Sequence, residues 1–254
     1  MLPASVLPKP VTGLKPPKTL LRAAGAAIAD FAMVRPGDRI LLGLSGGKDS
    51  LSLLHVLLHL RDKSPVRFEL GAATVDPSIA GFDPSFLQHY LPDLGVPYFY
   101  RRQDIVGRAL KTMRGNSFCA YCSRMRRGIL YATAREHGYN VLALAHHLDD
   151  LAETFLMSAF HGGSLRTMQA HYVNDAGDLR IIRPFVYARE RQTADFARRA
   201  SLPAIMDNCP ACFRMPAQRM QMKILLAEQE KTHKNLFSSL LTAIRPLMSE
   251  KIQI

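Results

Sequence analysis

The sequence predicts an α/β fold, a doubly wound parallel sheet with helical extensions at its N- and C-terminal ends. Three observations predict it. Short apolar runs alternate with stretches of helical periodicity, and that order implies parallel strands joined by right-handed crossovers. A glycine turn, SGGKDS at residues 45–50, directly follows the first apolar run. A second polar cluster, HHLDD at residues 146–150, directly follows a later one. In open parallel sheets ligands bind beyond the carboxyl ends of the strands, where both clusters fall.

Taken in order, residues 1–18 hold five prolines and no apolar segment of a signal peptide, so they read as a flexible arm. Residues 19–34 (TLLRAAGAAIADFAMV) have helical apolar spacing, with Pro36 and Gly37 expected to end the helix. DRILLGL reads as a buried strand, and LSLLHVLLHLRD, after the glycine turn, as a helix. A strand (FELGAATVD), a helix (PSFLQHYLPDL) and a short strand (PYFYR) follow, then an expected loop as far as Cys119. SRMRRGILYATAREHG reads as a helix, NVLALA as a strand and DLAETFLMSAF as a helix. Beyond Gly162 the pattern loosens into IIRPFVYA, a helix at RERQTADFARRA, the CPAC segment and a long helical stretch. The expected division is an arm at 1–18, a nucleotide-binding catalytic domain at 19–212 and a helical extension at 213–254.

A chain of 254 residues can bury one good core, and 48% hydrophobic content with mixed charge fits a soluble globular protein. No apolar run reaches the ~18 residues of a membrane span. With no signal peptide in residues 1–18, the cytoplasm is the expected location. The net charge is +12, and its distribution points to an anionic partner, nucleic acid first. Residues 101–135 hold nine Lys or Arg against one acid, Asp104, which is more lopsided than a surface charged only for solubility.

SGGKDS has the parts of a phosphate cradle. Gly46 and Gly47 let the backbone turn tightly and bring N–H groups to an anion. The start of the next helix adds donors and partial positive charge, Lys48 a full charge, and Ser45 and Ser50 hydroxyls. It is not a Walker A loop, because Leu42 stands at the first glycine position and Asp49 follows the lysine. The plainer reading is a glycine turn capping a helix, and the Lys–Asp pair inside the turn argues against it. In HHLDD the plainer reading is that Asp149 or Asp150 starts the next helix. That accounts for one residue and not for His146, His147 and two aspartates at the edge that holds the glycine turn. Carboxylates beside a phosphate loop suit magnesium, so Asp49, Asp149 and Asp150 are its expected holders. A zinc site from the same histidines and aspartates, with Glu153, is the lesser alternative.

The four cysteines form two C-x-x-C pairs, Cys119–Cys122 and Cys209–Cys212, with 86 residues between them. In a cytosolic chain such pairs indicate metal or redox chemistry rather than disulfides. Four thiolates can close a tetrahedral zinc site, and thiolates also hold iron–sulfur clusters. Spacing alone leaves both open, along with a nucleotide-binding redox sensor that is not an enzyme.

The hexapeptide SGGKDS resembles the signature of the PP-loop ATP pyrophosphatases, which share an adenine nucleotide alpha hydrolase-like fold. With FCAYCSRMRRGILYATAREHG, ALAHHLDDLAETFLMSAFHGG, IIRPFVYARERQ and CPACFRMPAQR following in order, residues 23–219 resemble the tRNA 2-thiocytidine synthetase family. Leu148 stands where that family commonly has arginine, and the C-terminal tail is short. The resemblance implies ATP contacts from Ser45, Gly46, Gly47, Lys48, Asp49, Ser50 and His146, and catalytic roles for Lys48, Asp49, Asp149 and Asp150. It implies a [4Fe–4S] cluster on Cys119, Cys122 and Cys212, with Cys209 nearby and not a ligand. It further implies Mg-ATP as cosubstrate and an anticodon-loop cytidine of tRNA as target. A sulfur donor such as a cysteine desulfurase or sulfide completes the set, and homodimers occur in the family. Arg124, Arg126 and Arg127, just after the first cysteine pair, are the expected RNA contacts. A PP-loop RNA-modifying enzyme with structural zinc is the alternative.

Overall fold

The computed structural model describes residues 13–79, 81–112, 118–205 and 218–249. Six strands form one sheet in the order β3-β2-β1-β4-β6-β5. The strands are β1 (Asp38–Gly43), β2 (Phe68–Asp76), β3 (Tyr98–Arg102), β4 (Val141–Ala143), β5 (His171–Val173) and β6 (Arg180–Ile182). All neighbours are parallel except β5, which runs antiparallel to β6 at the edge. In β1, Leu42 is in register with Ala72 on one side and Ala143 on the other. Chain order reverses between β1 and β4, the two strands that precede SGGKDS and HHLDD. That reversal is the switch point at which open sheets bind ligands.

Both faces of the sheet are covered, as the apolar runs require. Ile40, Leu42 and Ala143 point into a larger core. It is shared with α1 (Lys18–Asp30), α2 (Lys48–Lys63), α3 (Leu87–Asp93), α6 (Leu148–His161), α7 (Glu190–Arg199), α8 (Gln218–Thr232) and α9 (Leu236–Ile244). Leu41, Ala73, Leu142 and Ile181 point the other way, toward α4 (Ile105–Thr112) and α5 (Phe118–Glu136). The alternation along β1 thus sends neighbouring leucines into different layers.

Three local differences from the sequence reading have physical causes. The first helix stops at Asp30, four residues before the expected end. Met33 N–H donates to the Ile28 carbonyl (3.0 Å) and Ala32 N–H to the Ala29 carbonyl (3.2 Å), with Ala32 at φ 46°. This Schellman closure is driven by Met33, which turns back into the core and is fully buried. Helix α4 occupies part of the expected loop before Cys119, and its two turns are held by burial of Ile105 and Ala109, one turn apart. Strand β5 was not expected either, since three residues carry no usable alternation.

Among the described residues no helix is long and apolar enough to cross a membrane. Leu226 of α8, Phe237 and Ile244 of α9, and Met248 are buried in the larger core, so the C-terminal helices share it.

Candidate active site

The glycine turn joins β1 to α2. Gly46 has φ +83°, and a Cβ there would lie 2.4 Å from Ile205 Cδ1, so only glycine fits. Ile205 N–H donates to the Gly46 carbonyl at 2.9 Å, tying the turn to the chain just before residue 206. Gly47 is the N-cap of α2, and no side chain caps it. The first-turn amides of α2 therefore remain available to an anion, the arrangement a phosphate requires. Ser45 Oγ lies 3.1 Å from Ser50 Oγ, and Ser50 Oγ donates to the Gly47 carbonyl at 3.0 Å, which holds the turn closed.

Lys48 Nζ lies 2.9 Å from Asp49 Oδ2 and 2.9 Å from Glu190 Oε1. Burial alone would lower its pKa, but the Asp49 and Glu190 charges outweigh that and raise it. Thr193 of α7 donates to Asp49 Oδ1, fixing the carboxylate from the far side.

His147 is the N-cap of α6. Its backbone N–H donates to Asp150 Oδ2 at 3.0 Å, and Asp150 N–H donates to His147 Nδ1 at 3.3 Å. The cap is therefore the histidine and not Asp149 or Asp150, correcting the simpler sequence reading, and Asp150 closes the box from the third position. Its Nε2 lies 3.9 Å from Asp49 Oδ2. Nδ1 lies 3.7 Å from Asp149 Oδ2 and 3.3 Å from Asp150 Oδ2. One buried imidazole thus gathers the three carboxylates that the sequence spreads over about a hundred residues. His146 faces away from them and accepts from Arg183 Nε at 3.3 Å. Burial, then the Arg183 charge, pushes its pKa down to about 3, so it is neutral.

Arg189, Glu190, Arg219, Lys223 and Glu230 belong to this site and escaped the sequence reading. Asp149 Oδ2 accepts from Glu190 N–H at 2.7 Å, and Asp149 Oδ1 from Arg189 Nε at 3.1 Å. Arg189 Nη1 and Nη2 donate to the two Glu230 oxygens at 2.8 and 2.9 Å. Lys223 Nζ lies 2.6 Å from Glu190 Oε2. Arg219 reaches Thr154 Oγ1 at 3.0 Å and Asp150 Oδ1 at 3.5 Å. Glu153 is buried, and burial followed by the Asp150 charge pushes its pKa up to about 7. Arg219, Lys223, Leu226 and Glu230 fall on one face of α8 at helical spacing. That face, charged around a buried leucine, is the signal that could have found them.

Among the described residues no set of three or more His, Cys, Asp or Glu is arranged to hold a metal ion, so the zinc site from His146, His147 and the aspartates is not preformed. Hydrated magnesium needs no such cage: one or two carboxylates and substrate phosphates hold it, and Asp49, Asp149 and Asp150 beside the glycine turn fit that donor set. Cys119 and Cys122 both lie in the first turns of α5, three residues apart in the chain. Cys122 is half-buried. Cys209 and Cys212 lie outside the described residues. Arg124 is exposed, and Arg126 and Arg127 are half-buried along α5.

Comparison with known proteins gives a consistent set of likenesses. The PP-loop domain family matches residues 20–227. The chain is 41% identical over 228 residues to the tRNA-cytidine(32) 2-sulfurtransferase of Geobacter sulfurreducens, covering 89% of each. It is 39% identical over 230 residues to the tRNA-cytidine(32) 2-sulfurtransferase of Methylococcus capsulatus, covering 90% of this chain and 79% of that one. Among solved structures, the U34-tRNA thiolase NcsA from Methanococcus maripaludis, which carries a [4Fe–4S] cluster, superposes with a TM-score of 0.75 at 22% identity. That match covers 93% of this chain and 79% of the thiolase, and shows a shared fold.

Proposed function

The chain belongs to the PP-loop family and, within it, to the tRNA-cytidine 2-sulfurtransferases; from that premise we propose that it converts an anticodon-loop cytidine of tRNA to 2-thiocytidine, with ATP as activating cosubstrate. One observation carries the reading. His147 gathers Asp49, Asp149 and Asp150 at the sheet's switch point, directly beside a phosphate-binding turn that only glycine can form.

The chemistry follows from the leaving group. A ring carbonyl oxygen leaves poorly, and AMP leaves well. The C2 oxygen of the cytidine attacks the α-phosphorus of ATP, and the bond to pyrophosphate breaks. A sulfur nucleophile then adds at C2, and the C2–O bond breaks to release AMP. The first-turn amides of α2 and Lys48 hold the phosphates and stabilise the charge that develops on them. Asp49, Asp149 and Asp150 would hold magnesium on the phosphate oxygens. Lys48 and Thr193 keep Asp49 in place, Arg189 and the Glu190 N–H keep Asp149, and the His147 cap keeps Asp150. Arg124, Arg126 and Arg127 contact the RNA backbone along α5.

A [4Fe–4S] cluster on Cys119, Cys122 and Cys212, with one iron free of protein ligand, would supply the sulfur nucleophile. In support, Cys119 and Cys122 are three residues apart in α5, and Ile205, whose N–H donates to the Gly46 carbonyl, precedes Cys212 by seven residues in the chain. Sulfur would reach the site from a cysteine desulfurase or as sulfide, and a tRNA substrate places the work in the cytoplasm.

The test is anaerobic purification with iron, sulfide and zinc analysis, followed by pyrophosphate release in the presence of tRNA. About four irons and four sulfides per chain are expected. Cys119→Ala, Cys122→Ala and Cys212→Ala should each lose them, and Cys209→Ala should keep them. One zinc per chain with no labile sulfide, weakened by Cys209→Ala, would instead establish a closed four-thiolate site and end the cluster reading.

A further inference from the structure

Arg183, just past β6, is 5% exposed, so its guanidinium is removed from water. Its partners carry no negative charge. It donates to the Gln169 carbonyl and to neutral His146, and lies 5.3 Å from the centre of the Tyr172 ring. A second arginine acts on the same space: the charge of Arg127, on α5, reaches Arg183, His146, Tyr131 and Tyr172. Arg127 Nε is buried with no hydrogen-bond partner. The Tyr131 and Tyr172 hydroxyls lie 3.4 Å apart. Arg135, Arg180, Arg189 and Arg219 each have a carboxylate within 4 Å, whereas among the described residues neither Arg127 nor Arg183 does.

Two guanidiniums in a low-dielectric space repel each other, and a buried charge without a counter-charge is costly. A fold keeps such a pair where a ligand supplies the negative charge. The position narrows the choice of ligand. His146 is adjacent to His147 and its three carboxylates, and Arg127 stands five residues past Cys122. Arg127 is on the cysteine helix itself and Arg183 contacts His146, the chain neighbour of His147, so the two arginines connect the helix that carries the cysteines to the segment that carries the acids.

We infer that Arg127 and Arg183 form a clamp for one RNA backbone phosphate, the phosphodiester next to the nucleotide that reacts, with the Tyr131 and Tyr172 hydroxyls as further donors. The inference rests on the tRNA reading above. Guanidinium forks match phosphate oxygens in a bidentate geometry, and phosphate contacts fix register without reading sequence. A base splayed from its loop for reaction needs its flanking phosphate held.

The experiment uses the full chain, an unmodified anticodon stem-loop as probe and a non-hydrolysable ATP analogue, with affinities measured across salt concentrations. Arg127→Gln and Arg183→Gln should each weaken stem-loop binding about tenfold and reduce the log–log salt slope by about 0.7, the value for one phosphate on a single strand. Affinity for the ATP analogue should be unchanged. Arg183→Lys, which keeps the charge, should retain the slope. A methylphosphonate at the clamped linkage should cost the wild type as much as the substitutions do and cost the variants nothing further. The clamp is overturned if RNA affinity and slope stay at wild-type values. It is equally overturned if the variants lose the ATP analogue, or lose iron with RNA binding intact, because the anion would then be a nucleotide phosphate or the cluster. Should Arg183→Gln fail to fold, Arg127→Gln on the half-buried helix face decides. A wild-type protein that binds no stem-loop defeats the tRNA reading itself, whereas equal binding by wild type and variants defeats only the clamp.

Discussion

Glu190 holds two lysines at once: its Oε1 lies 2.9 Å from Lys48 Nζ and its Oε2 lies 2.6 Å from Lys223 Nζ. Lys48 belongs to the phosphate turn and Lys223 to the C-terminal helix, so one carboxylate links the two ends of the fold at the site. Burial pushes Glu190 upward, but the two lysines outweigh it and bring its pKa down to about 2. The carboxylate is therefore ionised at every working pH, and it occupies Lys48 where a phosphate would.

Replacing Glu190 with Gln should accordingly tighten binding of pyrophosphate measured without magnesium. About tenfold is expected, the equivalent of ~1.4 kcal/mol for a half-buried pair. Thermal stability should fall at the same time, because Lys223 loses its partner. Unchanged or weaker pyrophosphate binding would show that Glu190 does not compete with the anion.

Adjacent glycines of the phosphate turn should differ sharply. Gly46→Ala forces a left-handed φ of +83° on alanine and drives its Cβ into Ile205. A loss of about 1–3 kcal/mol from the backbone conformation alone is expected, with the steric conflict added, and ATP binding should be abolished. Gly47→Ala meets nothing closer than Ser45 Oγ at 3.5 Å, and its backbone is extended. It should fold with near-normal stability. Chemical denaturation and ATP titration of the two variants check the contrast.

Arg189 reads its surroundings with a fork. It spans both Glu230 oxygens and Asp149, and its guanidinium lies 3.1 Å from the centre of the Phe237 ring. Lysine keeps the charge and loses the planar geometry. Arg189→Lys should cost about 1–3 kcal/mol of stability, the scale of lost hydrogen bonds to charged groups. It should also loosen Asp149, raising the magnesium concentration needed for half-maximal pyrophosphate release. A Tm and magnesium response equal to wild type would refute both.

His55 is buried in the larger core beside Tyr90, with Nε2 2.8 Å from the Tyr90 hydroxyl. Burial pushes its pKa down to about 4 from the ordinary 6.5. Between those two values the unfolded chain binds a proton that the folded chain refuses, so stability falls as pH drops through this window. The slope for one such group reaches about 1.4 kcal/mol per pH unit. Subtracting the stability profile of His55→Gln from that of wild type should isolate this slope between pH 6.5 and 4, with no difference in slope above pH 7. A flat difference across the window would mean that His55 is protonated in the fold.

The sheet, and the meeting of SGGKDS and HHLDD at one of its edges, were legible in the sequence. Apolar runs such as RILLGL can be buried only between two helical layers, and the glycines of SGGKDS can serve only a turn at a strand end. Adjacent residues in one motif cannot drift apart, so SGGKDS and HHLDD were each legible as a unit. Tertiary structure alone decided how the units meet. That Thr193 holds Asp49 beside His147, that Glu190 bridges Lys48 and Lys223, and that Arg183 and Arg127 share a space without a carboxylate all depend on contacts across many intervening residues. Such contacts leave no local periodicity. Each charged side chain on its own reads as a solvated surface residue, and it becomes part of a site only when folding removes the water between it and its partner.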